Sequence, residues 1–269
     1  MKIALAQIYP TLGNLAANYA LLEKEILAAR QNGARLIIFP ELALTGYLLK
    51  DQVFDLLPGA DEYLPKLKKL SAGIDIILGS IESQNSRAYN AAFYLSGGEL
   101  VHTHRKVYLP TYGMFDEKRY FSAGSQFQTF ASVLGPTAIL ICEDAWHFSS
   151  AYLAASAGAE NVVIISSSPY RAGIEKQWQN IQSGIAENLA VNVLYCNRAG
   201  VEDGVTFWGG SVVYTDDGQP LGRAAELKPE TLLLDLPENR EARQQSVFVR
   251  DERPEVVLKE LSRIWQSVL

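Results

Sequence analysis

The chain has 269 residues, enough to bury one large core, and its 48% hydrophobic and 20% charged residues are the balance of an ordinary globular domain. Its net charge of −6 argues against a nucleic-acid groove or an anionic membrane surface as partner. No apolar run is long enough to span a bilayer, and two cysteines, Cys142 and Cys196, do not make a disulfide framework, so the cytoplasm is the expected compartment.

The opening MKIALAQIYP has too short an apolar stretch for a signal peptide and reads as a first strand, Lys2 to Ile8. Leu15, Tyr19, Leu22, Ile26 and Ala29 then recur at steps of four and three, one face of an amphipathic helix that Asn32-Gly33 ends. Leu36 to Phe39 is a buried strand closed by Pro40. A helix over about Asp61 to Leu70 leads into a strand at Ile74 to Gly79. Tyr89 to Leu95 and Leu100 to His104 flank Gly97-Gly98, a hairpin signal.

The second half follows the same logic. Ala138 to Cys142 reads as a strand, Ser150 to Ala157 as a short helix ending at Gly158, and Val162 to Ile165 as a strand. Ile174 to Val191 is a long helix before the strand Val193 to Cys196. Gly210 to Tyr214 and Leu221 to Arg223 flank the turn Asp216-Asp217-Gly218, and Leu232 to Leu236 is the last strand. Hairpins mixed with strand–helix units imply mixed sheets with both faces covered. No linker or fixed-period repeat divides the chain, so residues 1–269 are expected to form one domain, with a tail from about residue 237.

Three residues carry candidate chemistry. Cys142 stands at the end of an apolar strand, where α/β folds place reacting groups. A cysteine attacks as its thiolate, which the adjacent Glu143 and Asp144 are expected to disfavour, so it needs a cation or base from elsewhere in the chain. Glu41 closes a buried strand and suits a general base. Lys106 follows a strand beside Arg105 and suits stabilisation of an oxyanion. Each has a plain structural reading too: a core cysteine, a capping glutamate, a solvated basic pair. Cys196, mid-strand, fits the core reading. His102, His104 and His147 without a Cys-x-x-Cys leave no metal expected, and the first two read as surface or pocket-edge histidines.

Order and context change the weight of these signals. Phe39-Pro40-Glu41-Leu42-Ala43-Leu44-Thr45-Gly46-Tyr47, then His104-Arg105-Lys106-Val107-Tyr108-Leu109-Pro110, then Ile141-Cys142-Glu143-Asp144-Ala145-Trp146 resembles the nitrilase, or carbon–nitrogen hydrolase, superfamily at all three of its catalytic motifs. Ser166-Ser167-Ser168-Pro169-Tyr170 resembles the family's segment after the next strand. The resemblance implies an α/β fold, a four-layer α-β-β-α sandwich of two mixed sheets with helices outside. It implies Cys142 as nucleophile, Glu41 as general base, and Lys106 with the backbone N–H of Glu143 as the oxyanion site. Lys106 would also supply the cation that the thiolate needs. Glu117 is the candidate for a second glutamate found in many members.

A narrower resemblance lies in Thr111 to Phe121 and Cys142 to Trp146, which are similar to the glutaminase domain of glutamine-dependent NAD synthetases. There, residues matching Tyr47, Tyr112, Phe115, Glu143 and Ser168 line the glutamine pocket, with Glu143 suited to a substrate ammonium. Those synthetases continue into an ATP-using domain with a Ser-Gly-Gly-x-Asp-Ser loop. Here Ser96-Gly97-Gly98-Glu99-Leu100 lacks the Asp-Ser and reads as a turn, and the sequence ends at Leu269, so this chain is not expected to make NAD alone.

The expectation is therefore an amidase working through a thioester, without metal or organic cofactor. The alternatives are a glutaminase feeding ammonia to a separate synthetase subunit, a nitrilase, and a catalytically silent binding protein. The resemblance also implies at least a homodimer. Its tail, with Val247-Phe248-Val249 and a helical run from Val256 to Trp265, is the segment expected to cross between subunits.

Overall fold

The structure, a computed structural model, describes residues 1–238, 243 and 245–266. Strand β1 (Lys2–Gln7) leads through α1 (Leu15–Gln31) to β2 (Leu36–Ile38), and α2 (Gln52–Leu70) leads to β3 (Asp75–Gln84), β4 (Arg87–Ser96) and β5 (Glu99–Arg105). After the short α3 (Glu117–Tyr120), β6 (Thr129–Ser132) pairs with β7 (Gly135–Ile141), and a 3-10 segment (Cys142–Trp146) precedes α4 (Phe148–Ser156). Then come β8 (Asn161–Ser166), α5 (Ile174–Leu189), β9 (Asn192–Asn197), the ribbon β10 (Ala199–Glu202) and β11 (Val205–Trp208), and β12 (Val212–Tyr214), β13 (Pro220–Arg223) and β14 (Glu230–Asp235). Helices α6 (Val247–Asp251) and α7 (Pro254–Gln266) end the described chain.

Two six-stranded sheets result, ordered β14-β1-β2-β3-β4-β5 and β13-β12-β9-β8-β7-β6. Within the first, β1, β2 and β3 are parallel and the other pairings antiparallel. Within the second, β7, β8 and β9 are parallel and the rest antiparallel. Read from β14 and from β6, the two sheets have the same sequence of directions. The units β1-α1-β2-α2-β3 and β7-α4-β8-α5-β9 are thus two copies of one plan, each finished by a hairpin.

Alternation along the strands explains the layering. Ile3, Leu5, Leu36 and Ile38 share an apolar cluster with the strands of the second sheet. Ala4, Ala6, Ile37 and Phe39 point the other way, into a cluster with Leu22 and Ile26 of α1 and Val53 and Leu67 of α2. Trp178, Ile185 and Leu189 of α5 close the outer face of the second sheet. This is the expected four-layer α-β-β-α sandwich.

The structure corrects several boundaries. The strand expected to include Cys142 stops at Ile141, because Cys142 takes a left-handed backbone (φ 45°). Helix α2 starts nine residues before the expected Asp61 and runs through Pro58-Gly59, a pair that ordinarily breaks helices. Strands β6, β10 and β11 and helix α3 are too short for periodicity to reveal them. The short helix expected from Ser150 to Ala157 starts two residues earlier and ends one earlier, as α4 (Phe148–Ser156). The Gly97-Gly98 hairpin is as expected, with both glycines at positive φ (60° and 86°), the conformation a tight two-residue turn of this hand requires. The tail expected from about residue 237 falls partly outside the described residues. Its described part has Phe248 against Tyr152, with ring centroids 5.7 Å apart, and leaves Leu258, Leu261, Ile264 and Trp265 exposed. Among the described residues no helix is long and apolar enough to cross a membrane.

One close approach fixes the turn that carries Glu41. The backbone of β3 at Gly79 lies directly under the turn after β2: Gly79 N donates to Pro40 O at 3.1 Å, and an added Cβ would stand 2.6 Å from Glu41 Cα and nearer still to Leu42 N. The obstacle is backbone, which cannot rotate away. Gly79→Ala is therefore expected to cost roughly 1–3 kcal/mol in urea denaturation, the usual penalty for overpacking a filled interior. A midpoint and slope equal to the parent's would show that this contact is not tight.

Candidate active site

The turn carrying Glu41 is built from hydrogen bonds to both sheets. Leu42 adopts a left-handed backbone (φ 50°), which turns the chain immediately after Glu41. The Glu41 carboxylate is fully buried, so its oxygens need partners inside the protein. Oε1 accepts from Asn90 Nδ2 of β4 at 2.8 Å and from Lys106 Nζ at 2.7 Å. Oε2 accepts from the backbone N–H of Ser167 at 2.7 Å, and Ser167 Oγ donates to Glu41 O at 3.0 Å.

Lys106, one residue beyond β5, is fully buried and bridges two carboxylates. Its Nζ lies 2.7 Å from Glu41 Oε1 and 2.6 Å from Glu117 Oε1. Burial works against its positive charge, but Glu117 and then Glu41 outweigh it and hold the ammonium well above its usual range. Two of its three N–H bonds point at these carboxylates, which leaves a third to give.

Glu117 begins α3. Burial raises its carboxyl, Lys106 opposes, Glu41 adds to the rise, and the group titrates at about 7. Its Oε1 also accepts from Tyr47 Oη at 2.6 Å, whereas Oε2 is buried with no hydrogen-bond partner among the described residues. A proton on Glu117 therefore belongs on Oε2. Tyr47 is clamped in turn: Glu202 Oε1 accepts from the backbone N–H of Tyr47 and Leu48 at 2.8 and 2.7 Å, and buried Arg198 donates to Glu202 Oε2 at 2.6 Å.

Cys142 is nearly buried at the end of β7, and its left-handed backbone is a strained state for a residue with a side chain, costing of order 1–3 kcal/mol. Its neighbours correct the sequence reading. Asp144 turns away from the sulfur and accepts from the backbone N–H groups of Val107, Tyr108 and Ile141 at 3.0, 2.9 and 3.1 Å, with His104 Nε2 at 2.9 Å. It fastens the cysteine turn to the segment after Lys106. Glu143 accepts from Tyr112 Oη at 2.8 Å. The thiol is pushed up by burial first and then by Glu41, with Lys106 and Ser166 opposing and Glu117 adding to the rise. His104, expected near the surface, is the buried partner of Asp144. His102 is half-buried and stacked on Phe130, and its burial lowers it to about 4 and keeps it neutral. Cys196 is a core residue whose Sγ contacts Ile38 O at 3.2 Å.

Cys142 opens into a cleft of about 680 Å3, a volume suited to a small ligand. Tyr112, Phe115, Glu143 and Ser168 line it. Tyr47 does not; with Glu117 it lines a second cavity of about 250 Å3 behind Met114 and Phe115. The cleft also holds Trp146, Tyr170, Ile174 and Arg171, which the sequence reading passed over. The Arg171 guanidinium lies 5.8 Å from the Trp146 ring centre. Its adjacency to Ser168-Pro169-Tyr170 was the available signal. Asn90, Asp144, Arg198 and Glu202 had none, since each acts across a strand pairing or a loop contact. Among the described residues no group of three or more His, Cys, Asp or Glu is placed to hold a metal ion.

The family model described as carbon–nitrogen hydrolase matches residues 2–244. The chain is 34% identical over 247 residues to the glutamine-dependent NAD(+) synthetase of Thermotoga maritima and 32% identical over 233 residues to that of Acinetobacter baylyi. These matches take in 89% and 85% of this chain but 43% of each relative, so the chain spans less than half the length of the curated relatives it matches. Among solved structures, the synthetase of Acinetobacter baumannii in complex with ADP superposes with a TM-score of 0.80 at 30% identity, over 86% of this chain and 44% of that one. The amidase from Nesterenkonia sp. AN1, in a form showing Michael addition of acrylamide at its active-site cysteine, superposes with a TM-score of 0.84 at 25% identity, over 98% and 99% of the two chains.

The Glu117 titration has a consequence for stability. In the unfolded chain the carboxyl loses its proton near its ordinary 4.5, but in the folded protein only near 7. The fold's preference for the protonated form is thus fully present below about 4.5 and lost as pH rises through about 7. Thermal melts of the parent and Glu117→Gln between pH 5 and 8 check this. The parent is expected to lose stability relative to the variant as pH rises, and a constant difference would contradict the assignment.

Proposed function

Because the chain belongs to the carbon–nitrogen hydrolase family, we propose that it is an amidase, cleaving a small-molecule amide to acid and ammonia through a thioester on Cys142. The observation that carries this reading is the buried ammonium of Lys106 held between Glu41 and Glu117 beside a strained, cleft-facing cysteine.

Glu41 takes the Cys142 thiol proton, and Sγ attacks the amide carbon. Negative charge moving to the carbonyl oxygen is met by the remaining N–H of Lys106 and the backbone N–H of Glu143. The tetrahedral species collapses as Glu41 returns the proton to nitrogen; the C–N bond breaks, ammonia leaves and a thioester remains. Glu41 then deprotonates water, which attacks the thioester. The acid is released and the thiol is restored. Glu117 holds the far side of Lys106 so that the ammonium keeps its aim.

A second reading has its own support. The cleft carries a carboxylate, Glu143, and a guanidinium, Arg171, the pair needed to receive the ammonium and carboxylate of an amino acid. With the synthetase relatives, this favours an ω-amide such as L-glutamine, and a role feeding ammonia to a separate ATP-dependent subunit. A catalytically silent binder is disfavoured physically, since a buried ion triple is costly to desolvate and hydrophobic packing would serve such a protein as well. We also infer a homodimer in which the exposed apolar stripe of α7 is covered; light scattering showing a monomer at working concentration would oppose it.

The direct assay is ammonia release from L-glutamine and a panel of small amides. The parent is expected to turn over at least one of them, and Cys142→Ala to lower the rate by at least about a thousandfold with its fold intact. Undiminished release by the variant would end the proposal. Release from the panel but not from L-glutamine would leave the amidase reading and remove the glutaminase one.

A further inference from the structure

Ser166 closes β8 and is fully buried. The parallel pairing of β7 with β8 sets Ile141 opposite Ile165, so the next residues, Cys142 and Ser166, stand side by side at the end of the sheet. Ser166 Oγ donates to Cys142 Sγ at 3.2 Å. The next residue, Ser167, gives its backbone N–H to Glu41, and Ser168 lines the cleft. Three consecutive serines thus serve the sulfur, the base and the substrate space in turn.

The charged and titratable groups around the sulfur come from several elements. Glu41 and Tyr47 follow β2, Lys106 follows β5, Tyr112 and Glu117 precede and begin α3, and Tyr195 lies on β9. Glu41 and Glu117 disfavour a negative sulfur. Lys106 favours one, but its ammonium is already bonded to both carboxylates. The Tyr195 hydroxyl is held in its neutral form by burial and by the sulfur itself. Among the described residues it is Ser166 that hydrogen-bonds the sulfur directly.

We propose that Ser166 is a catalytic residue of the thiol step: it keeps its own proton and holds the Cys142 thiolate by an O–H···S hydrogen bond once Glu41 has removed the thiol proton. The inference rests on Cys142 being the nucleophile proposed above. It explains how a buried sulfur facing two carboxylates becomes reactive with no cation hydrogen-bonded to it among the described residues. The hydroxyl is a neutral donor, so it stabilises the thiolate without drawing charge away from Lys106, which is left to the oxyanion.

The test is alkylation of the full chain by iodoacetamide across pH 6 to 10, with the Cys142 peptide followed by mass spectrometry and the Cys196 peptide as internal reference. Sγ displaces iodide to form a thioether, so the rate reports the thiolate. Ser166→Ala removes one oxygen; its rate near neutral pH is expected to fall about tenfold, the scale of one hydrogen bond, and its profile to move to higher pH. Ser166→Thr keeps the hydroxyl and is expected to recover most of the rate. An unchanged profile in Ser166→Ala overturns the proposal, as does a threonine variant as slow as the alanine one, which would trace the loss to packing. If the parent's Cys142 is not alkylated at any pH, the nucleophile reading itself fails, a result distinct from the other two.

Discussion

The Lys106 ammonium between two buried carboxylates is the contact on which the rest of this molecule depends. A charge removed from water is tolerated only with close partners and satisfied hydrogen bonds. Glu41 and Glu117 supply them, but two carboxylates on one ammonium leave an excess negative charge. The protein relieves it by letting Glu117 hold a proton to about pH 7, on the oxygen that faces no donor. The neighbouring elements each hold one part of this arrangement in place. Asn90 and Ser167 saturate Glu41, Tyr47 orients Glu117, and Arg198 and Glu202 orient the Tyr47 segment.

The sandwich explains how these groups meet although Glu41, Lys106 and Cys142 are far apart in sequence. The two sheets repeat one plan, and parallel central strands bring the segments after β2, β7 and β8 to the same edge. There the chain bends sharply, at Leu42 and at Cys142, each with a left-handed backbone. Strain at both bends is held by buried hydrogen bonds, Asp144 being the principal anchor of the second with three backbone N–H groups and His104. A buried, hydrogen-bonded site of this kind keeps its dipoles aimed before substrate arrives, the condition under which they are most effective.

Much of this was legible in the sequence, for identifiable reasons. Long, strongly periodic segments such as α1 and buried runs such as Val162 to Ile165 announced the layers. Glu41, Lys106 and Cys142 each follow an apolar strand, and their flanking motifs carried the superfamily resemblance. The rest depends on register and long-range contact. Asp144 looked like a threat to the thiolate because sequence shows adjacency but not direction; in the fold it faces away from the sulfur. Tyr47 was expected in the substrate cleft but lies behind it, a difference set by the Glu202 clamp from a distant ribbon. Ser166 gained its place from strand pairing alone, and Pro58 hid the first half of α2.

The central claim is that Cys142 carries the acyl group while Glu41 completes its release. The decisive measurement is mass spectrometry of acid-quenched enzyme during turnover of an amide found to be a substrate, comparing the parent with Glu41→Gln. The account predicts a covalent acyl adduct on the Cys142 peptide, absent from Cys142→Ala, and a higher ratio of adduct to turnover rate when Glu41 can no longer activate water. Amide hydrolysis with no adduct on Cys142 in either protein would contradict it.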